Sequence, residues 1–384
     1  MLLMFAGTSR YGCYNFPLIT LGIRLSIKES LLEDAGRWFL CSGIQETNGG
    51  VARYYRSDVR QNARISTEIT GYATSALFFL NERTGLDEYR DAGLRCARFL
   101  TRTAWDFKLQ TFPFEAPGDH SAGLAYFFDC GIIVRGLLSA WRATRDAEFR
   151  EVAIATGRTM LKDFRANGAI HPILSLPAKQ ALAYEPRWSA SPGCYQLKSA
   201  LAWYELFEAC GEMEFLKAYE QAVESALATE RDFLPGDVNQ EKVMDRLHAY
   251  LYFLEGLLPV LDRAECRRVF QEGLNRVESH LRQIEPVFVR SDVYAQLLRA
   301  RIFGEWTAGL QMDRSDAARA AAQIATFQLE SSDLRVSGGF CFGRKGAVEL
   351  PFVNPVSTAF SVQALALWND RERGATPAHW HALI

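Results

Sequence analysis

The sequence predicts an all-α protein, an (α/α)6 barrel in which six helical hairpins close into a toroid. Three observations predict it. Six short anchors each open an apolar helix: EITGY (68–72), FFDCG (127–131), GCYQLK (193–198), RLHAYLYF (246–253), DVYAQL (292–297) and NPVSTAF (354–360). Most are followed by a short polar turn and a second, amphipathic helix, at a spacing of roughly 50–60 residues. Loops inside the hairpins are short, whereas the segments between them are long and rich in Gly, Pro and aromatic residues. Hairpins of this kind bury their apolar faces only against neighbours, so residues 28–384 are expected to form one domain preceded by an extension, 1–27.

The elements follow in order. Residues 28–43 read as an amphipathic helix ending at Gly43, with Leu31, Leu32, Ala35, Trp38 and Phe39 on one face. No inner helix precedes it, and the last anchor has no long outer helix after it. Counting therefore pairs the two as the sixth hairpin. The first full hairpin runs over 68–102, with Ser66 or Thr67 as cap. The second spans 129–164 and the third 195–233. Their turns, RTGLDEY, TRDAEF and CGEMEF, share a breaker or polar residue, an acid and an aromatic. The fourth (245–281) and fifth (292–329) have more degenerate turns. In a closed ring every inter-hairpin loop lies at one end, above the N-termini of the inner helices, and that mouth is where binding is expected.

Bulk composition narrows the function classes. A formal net charge of −2 gives no case for nucleic acid or an anionic membrane surface. Hydrophobic residues at 48% suit a large core, and residues 14–27 are too interrupted by Pro17, Gly22 and Arg24 to span a membrane. Eight scattered cysteines form no CxxC pair and suggest no disulfide framework, which fits a reducing, cytoplasmic setting. The short apolar N-terminus lacks a basic leader and is not read as a signal peptide. There is no HExxH motif and no phosphate loop, so no metal or other cofactor is expected. A zinc site assembled from Cys130, Cys194 and His248 is a minor alternative.

The hairpin pattern, together with Gly- and aromatic-rich segments such as QETNGGVARYY and SGGFCFGRKG, resembles the (α/α)6-barrel carbohydrate enzymes over roughly residues 28–370. That group includes six-hairpin glycosidases, unsaturated glucuronyl hydrolases and N-acylglucosamine 2-epimerases. The resemblance implies the fold and a saccharide substrate. It carries no catalytic motif of a single family and specifies no oligomeric state.

Placing the inner-helix starts around the mouth puts Glu68, Asp129, Tyr195, His248, Asp292 and Asn354 on one ring. Glycoside hydrolysis needs two carboxyl groups, one protonated and one acting as base or nucleophile. Glu68 and Asp129, from adjacent hairpins, are the first pair, and Asp292 lies nearly opposite. Acids in a first helical turn also favour the macrodipole, so each has a structural reading. His248 beside Tyr250, with Arg246 at hand, would suit proton abstraction next to a carboxylate, the chemistry of sugar epimerases and uronate lyases. Tyr250 and Tyr252 cannot both share the face of His248, so part of this set is core. In the loops, Arg53, Tyr54, Tyr55 and Trp188 combine stacking surface with hydroxyl- or carboxylate-gripping cations. Lys198 is either a site base or a snorkelling helix residue. The leading expectation is a glycoside hydrolase acting on an oligosaccharide, possibly uronate-containing. An epimerase or lyase, an isoprenoid cyclase-like toroid and a non-catalytic binding scaffold are the alternatives.

Overall fold

Among the described residues, twelve α-helices with two distinct burial patterns alternate. The structure, a computed structural model, describes residues 29–115, 123–166, 168–234 and 239–384; the expected extension 1–27 lies outside them. The helices are α1 (Glu29–Cys41), α2 (Thr67–Thr84), α3 (Asp87–Phe99), α4 (Phe127–Thr144), α5 (Ala147–Asp163), α6 (Leu197–Cys210), α7 (Met213–Phe233), α8 (Gln240–Gly256), α9 (Ala264–Ile284), α10 (Ser291–Ala308), α11 (Arg314–Ala325) and α12 (Pro355–Arg373).

The inner helices α2, α4, α6, α8, α10 and α12 are buried on most sides. Every residue of α10 from Ser291 to Gly304 is buried, and so is every residue of α12 from Pro355 to Asn369. A helix apolar all round has no solvent face and must sit inside a second layer. That layer is α3, α5, α7, α9 and α11, whose buried residues keep to one stripe, as Cys266, Val269, Phe270, Gly273, Leu274 and Val277 do in α9. The ring closes because α12 packs on both α10 and α2, while α1 covers α12 and touches α3. The pairing inferred from counting hairpins is therefore correct: α1 is the outer helix of the sixth.

Left-handed residues end the inner helices and turn the chain outward. Gly85, Gly211 and Gly309 do this with φ of 71°, 77° and 64°, and Arg145 takes the same conformation at 61°. Two other glycines set the spacing of the helices that matter most below. A Cβ on Gly71 would meet the Ile133 Cα at 3.0 Å, and one on Gly136 would meet the Gly71 carbonyl oxygen at 2.6 Å. Only glycine lets α2 and α4 approach this closely.

Short antiparallel strands decorate the mouth. Tyr55–Arg56 pairs with both Gln61–Asn62 and Phe352–Val353, joining the first and last hairpins. Leu124–Tyr126 runs straight into α4, and Phe288–Arg290 straight into α10. These strand-to-helix junctions fix the depth of the residues that follow.

The opposite end is closed by residues 374–384. Lys198, fully buried rather than snorkelling, donates from Nζ to Glu255 Oε2 and the Ile384 oxygen, each at 2.9 Å. Arg299 donates to Glu255 Oε1 at 2.5 Å and stacks 3.8 Å from the Phe360 ring centre. This network pairs each of its three charges, while the Arg299 Nε is left without a hydrogen-bond partner among the described residues.

Candidate functional site

Glu68 and Asp129 occupy the first turns of α2 and α4, the two helices drawn together by Gly71 and Gly136. Neither is consumed as a cap. Ser66 caps α2, its Oγ accepting from the Ile69 amide at 3.4 Å, and the residue before α4 is Tyr126, which makes no side-chain cap. Asp129 is 4% exposed, and its Oδ2 has no hydrogen-bond partner among the described residues. Burial pushes the Glu68 carboxyl up to about 7, with Arg53 pulling the other way. Burial and then the Glu68 charge push Asp129 well above the usual carboxylate range. These are two desolvated acids near each other with too little cation to ionise both.

The nearby cation is Arg53. Its guanidinium lies 4.4 Å from the Phe114 ring centre and reaches Glu115 at 3.3 Å, so its charge is shared. Phe114 packs on Tyr126 at 5.0 Å between ring centres, and the Asp129 charge is felt at the Tyr126 phenol. Below the pair, the Tyr72 hydroxyl donates to that of Tyr252 at 3.2 Å. Tyr252 also packs against Phe128 at 4.7 Å and His248 at 4.5 Å, linking the two sides of the mouth.

The other side, between α8 and α10, is built differently. Arg290 grips Asp292 with two bonds, Nε to Oδ1 at 3.0 Å and Nη2 to Oδ2 at 2.6 Å, and reaches Asp245 with Nη1 at 2.7 Å. The guanidinium also stacks 4.4 Å from the Phe342 ring centre. Although burial opposes ionisation, the Arg290 charge holds the Asp292 carboxyl below the usual range. His248 Nδ1 lies 2.7 Å from Gln296 Oε1 and 3.6 Å from Asp292 Oδ2. Burial and the Arg290 charge push its imidazole down to about 4, so it is neutral at physiological pH. With Nδ1–H donated to Gln296, the Nε2 lone pair remains an acceptor.

The remaining expected residues divide. Trp188 stands edge-on to Tyr195 at 5.0 Å, and the Tyr195 hydroxyl donates to the Ser191 carbonyl at 3.2 Å. Arg246 donates to the Phe233 carbonyl at 2.7 Å and stacks over that ring. Tyr54 packs edge-on against Phe352 at 5.1 Å. Three residues are occupied elsewhere. Tyr250 turns outward, its hydroxyl donating to Glu230 Oε2 on α7 at 2.7 Å with Arg276 of α9 beside its ring. Tyr55 is buried, its hydroxyl directed to Asp333 at 3.5 Å. Asn354 caps α12, Oδ1 accepting from the Val356 and Ser357 amides. His248 also departs from the first-turn expectation. Asn239 caps α8 and starts it at Gln240, so His248 lies more than two turns in.

Sequence reasoning missed Tyr72, Phe128, Phe114, Arg290 and Gln296. Only Phe128 and Arg290 had a local signal, as sequence neighbours of Asp129 and Asp292. Among the described residues no three His, Cys, Asp or Glu side chains are placed to hold a metal ion, and no helix is long and apolar enough to cross a membrane.

Solved structures share this fold. A sugar epimerase from a ruminal bacterium superposes with a TM-score of 0.65 at 12% identity, over 88% of this chain and 98% of that one. Cellobiose 2-epimerase from Spirochaeta thermophila gives 0.64 at 12% identity, over 88% and 95%. Unsaturated glucuronyl hydrolase from a Bacillus species gives 0.61 at 15% identity, over 91% and 98%. No protein-family model matches the sequence, and no curated protein matches it. The chain has the (α/α)6-barrel fold of these enzymes.

Proposed function

We propose that this protein is a glycoside hydrolase in which Asp129 is the general acid and Glu68 the base. The observation that carries the reading is the desolvated pair itself: Asp129 keeps its proton well above the usual range, and Glu68 titrates at about 7. Two carboxyls with unequal, raised proton affinities are what acid–base cleavage of an acetal requires. Asp129 gives its proton to the bridging oxygen as the anomeric carbon–oxygen bond breaks. Glu68 takes a proton from the water that forms the new bond. One water is consumed, and the proton count of the pair is unchanged. Arg53 keeps Glu68 ionised in part of the population. The substrate is a saccharide, a class consistent with the names of all three structural neighbours described above.

A second reading has one observation in its favour, the neutral His248 whose Nε2 has no partner among the described residues, which suits proton abstraction in an epimerase. A base whose conjugate acid titrates at about 4 has little driving force for removing a proton from carbon, whereas a group near 7 is matched to neutral pH. The carboxyl pair is therefore the stronger assignment. Proton NMR in D2O with neutral and uronate oligosaccharides separates the two. Hydrolysis predicts new reducing-end anomeric signals that vanish in Asp129→Asn. Deuterium entering a sugar C–H position without chain cleavage would reassign the chemistry to His248.

A further inference from the structure

A run of aromatic rings leads away from the carboxyl pair on the Asp129 side. Phe128, the chain neighbour of Asp129, packs on Tyr252 at the axis and lies 6.2 Å from Tyr195. Tyr195 is 2% exposed and takes Trp188 edge-on at 5.0 Å and Phe233 at 6.1 Å. Arg246 continues the run, with its guanidinium carbon 5.6 Å from the Phe233 ring centre. Burial differs along it. Tyr195 is a buried backing slab, whereas Phe128, Trp188, Phe233 and Arg246 are each only partly buried.

Core packing explains Tyr195 and the inner faces of Phe128, Trp188 and Phe233, but not the part of each ring that stays exposed. Trp188 sits on a single turn, Trp188–Ala190, inside the long connection between α5 and α6, and keeps part of its ring in solvent. A large ring in a loop, held edge-on by a buried phenol, presents a fixed apolar face. Such faces match the C–H surface of a pyranose. Arg246 spends Nη1 on the Phe233 carbonyl, and the other donors of its fork have no partner among the described residues. Stacking surface beside hydroxyl-directed donors is the composition of a sugar subsite. The side matters as well. A general acid protonates the bridging oxygen, so the sugar beyond that oxygen lies next to the acid. The Asp129 charge is felt at the Tyr195 phenol, which places the aromatic run on the acid's side.

We propose that Phe128, Trp188, Phe233 and Arg246, backed by Tyr195, form a second sugar subsite that takes the leaving-group saccharide. This rests on the assignment of Asp129 as the acid, and it makes the substrate a di- or oligosaccharide rather than a single sugar carrying a small aglycone.

The test is calorimetric titration of Asp129→Asn, which retains its ligands unreacted. The probes are glucose, cellobiose and cellotriose, and in parallel glucuronic acid and an unsaturated glucuronyl disaccharide. The expected result in at least one series is a gain of roughly tenfold or more in affinity from one sugar to two. Adding Trp188→Ala or Phe233→Ala should remove most of that gain, and Trp188→Phe should keep it, with thermal unfolding confirming that each variant is folded. A gain that survives both alanine substitutions, or no gain with a single sugar binding normally, overturns the subsite and leaves the carboxyl assignment standing. Failure of every saccharide to bind the folded protein overturns the hydrolase reading and the subsite with it.

Discussion

The two sides of the mouth carry the same kind of residue in the same kind of position, yet their chemistry is opposite. On the α2–α4 side, Glu68 and Asp129 lie within electrostatic reach of each other and both feel the charge of Arg53, and both carboxyls are pushed up. On the α8–α10 side, Asp292 has both oxygens bonded to a buried arginine, and its carboxyl is held down. Asp129 and Asp292 are equally buried, and Glu68 is half-buried. What differs is whether the charge has been answered. An answered carboxylate is a fixed anion with no proton to give. An unanswered one keeps a proton available for transfer.

That contrast is broken most severely at the pair. Asp129→Asn is expected to lower turnover by on the order of 10³-fold on the sugar that the NMR screen identifies, and Glu68→Gln by on the order of 10²–10⁴-fold, with folded protein in both cases. Asp292→Asn should do the reverse. It leaves Arg290 buried with only Asp245 and should cost about 3 kcal/mol in urea unfolding, with activity reduced less than by either pair variant. If Asp292→Asn were as inactive as Asp129→Asn and fully stable, the roles of the two sides would be interchanged.

Stability against pH sharpens the comparison. The folded-state value of Glu68 lies above its ordinary one, so between about 4.5 and 7 the folded protein holds a proton that the unfolded chain has lost. Its contribution therefore falls as pH rises through that window. Glu68→Gln should be the more stable protein at pH 8, by on the order of 1–3 kcal/mol, and the advantage should fade below pH 4.5. Comparing urea midpoints at the two pH values reads this directly. The smallest expected effect concerns Arg53. It pulls both carboxyls downward, so Arg53→Gln should move the acid limb of the kcat/KM profile, expected near 7 in the parent, to higher pH. An unmoved limb would separate Arg53 from the pair.

Much of this was legible in the sequence because it is written locally. The hairpin repeat follows from helical periodicity and the turn residues after α2, α4 and α6. Glu68 and Asp129 were legible because they open their helices at the mouth. The start of α8 was not, since QEKVM carries no apolar anchor and the helix begins there through the Asn239 cap. The facing of Tyr250 was also hidden. Residues 250 and 252 lie about 200° apart on a helix, and the partners that settle which one turns inward, Glu230 and Tyr72, are on other helices. The grip of Arg290 on Asp292 could be guessed from adjacency, but the buried bond of His248 to Gln296 joins residues on separate hairpins. Pairings of that kind are products of ring closure and leave no local pattern.

The most direct measurement is carbon-13 NMR titration of the side-chain carboxyls in protein labelled at Asp and Glu, with Glu68→Gln, Asp129→Asn and Asp292→Asn used for assignment. Expected are a Glu68 midpoint near 7, an Asp129 resonance still protonated where ordinary carboxyls are ionised, and Asp292 ionised throughout the neutral range. Ordinary midpoints near 4 for both Glu68 and Asp129 would contradict this expectation and remove the basis for placing acid–base chemistry on that side of the mouth.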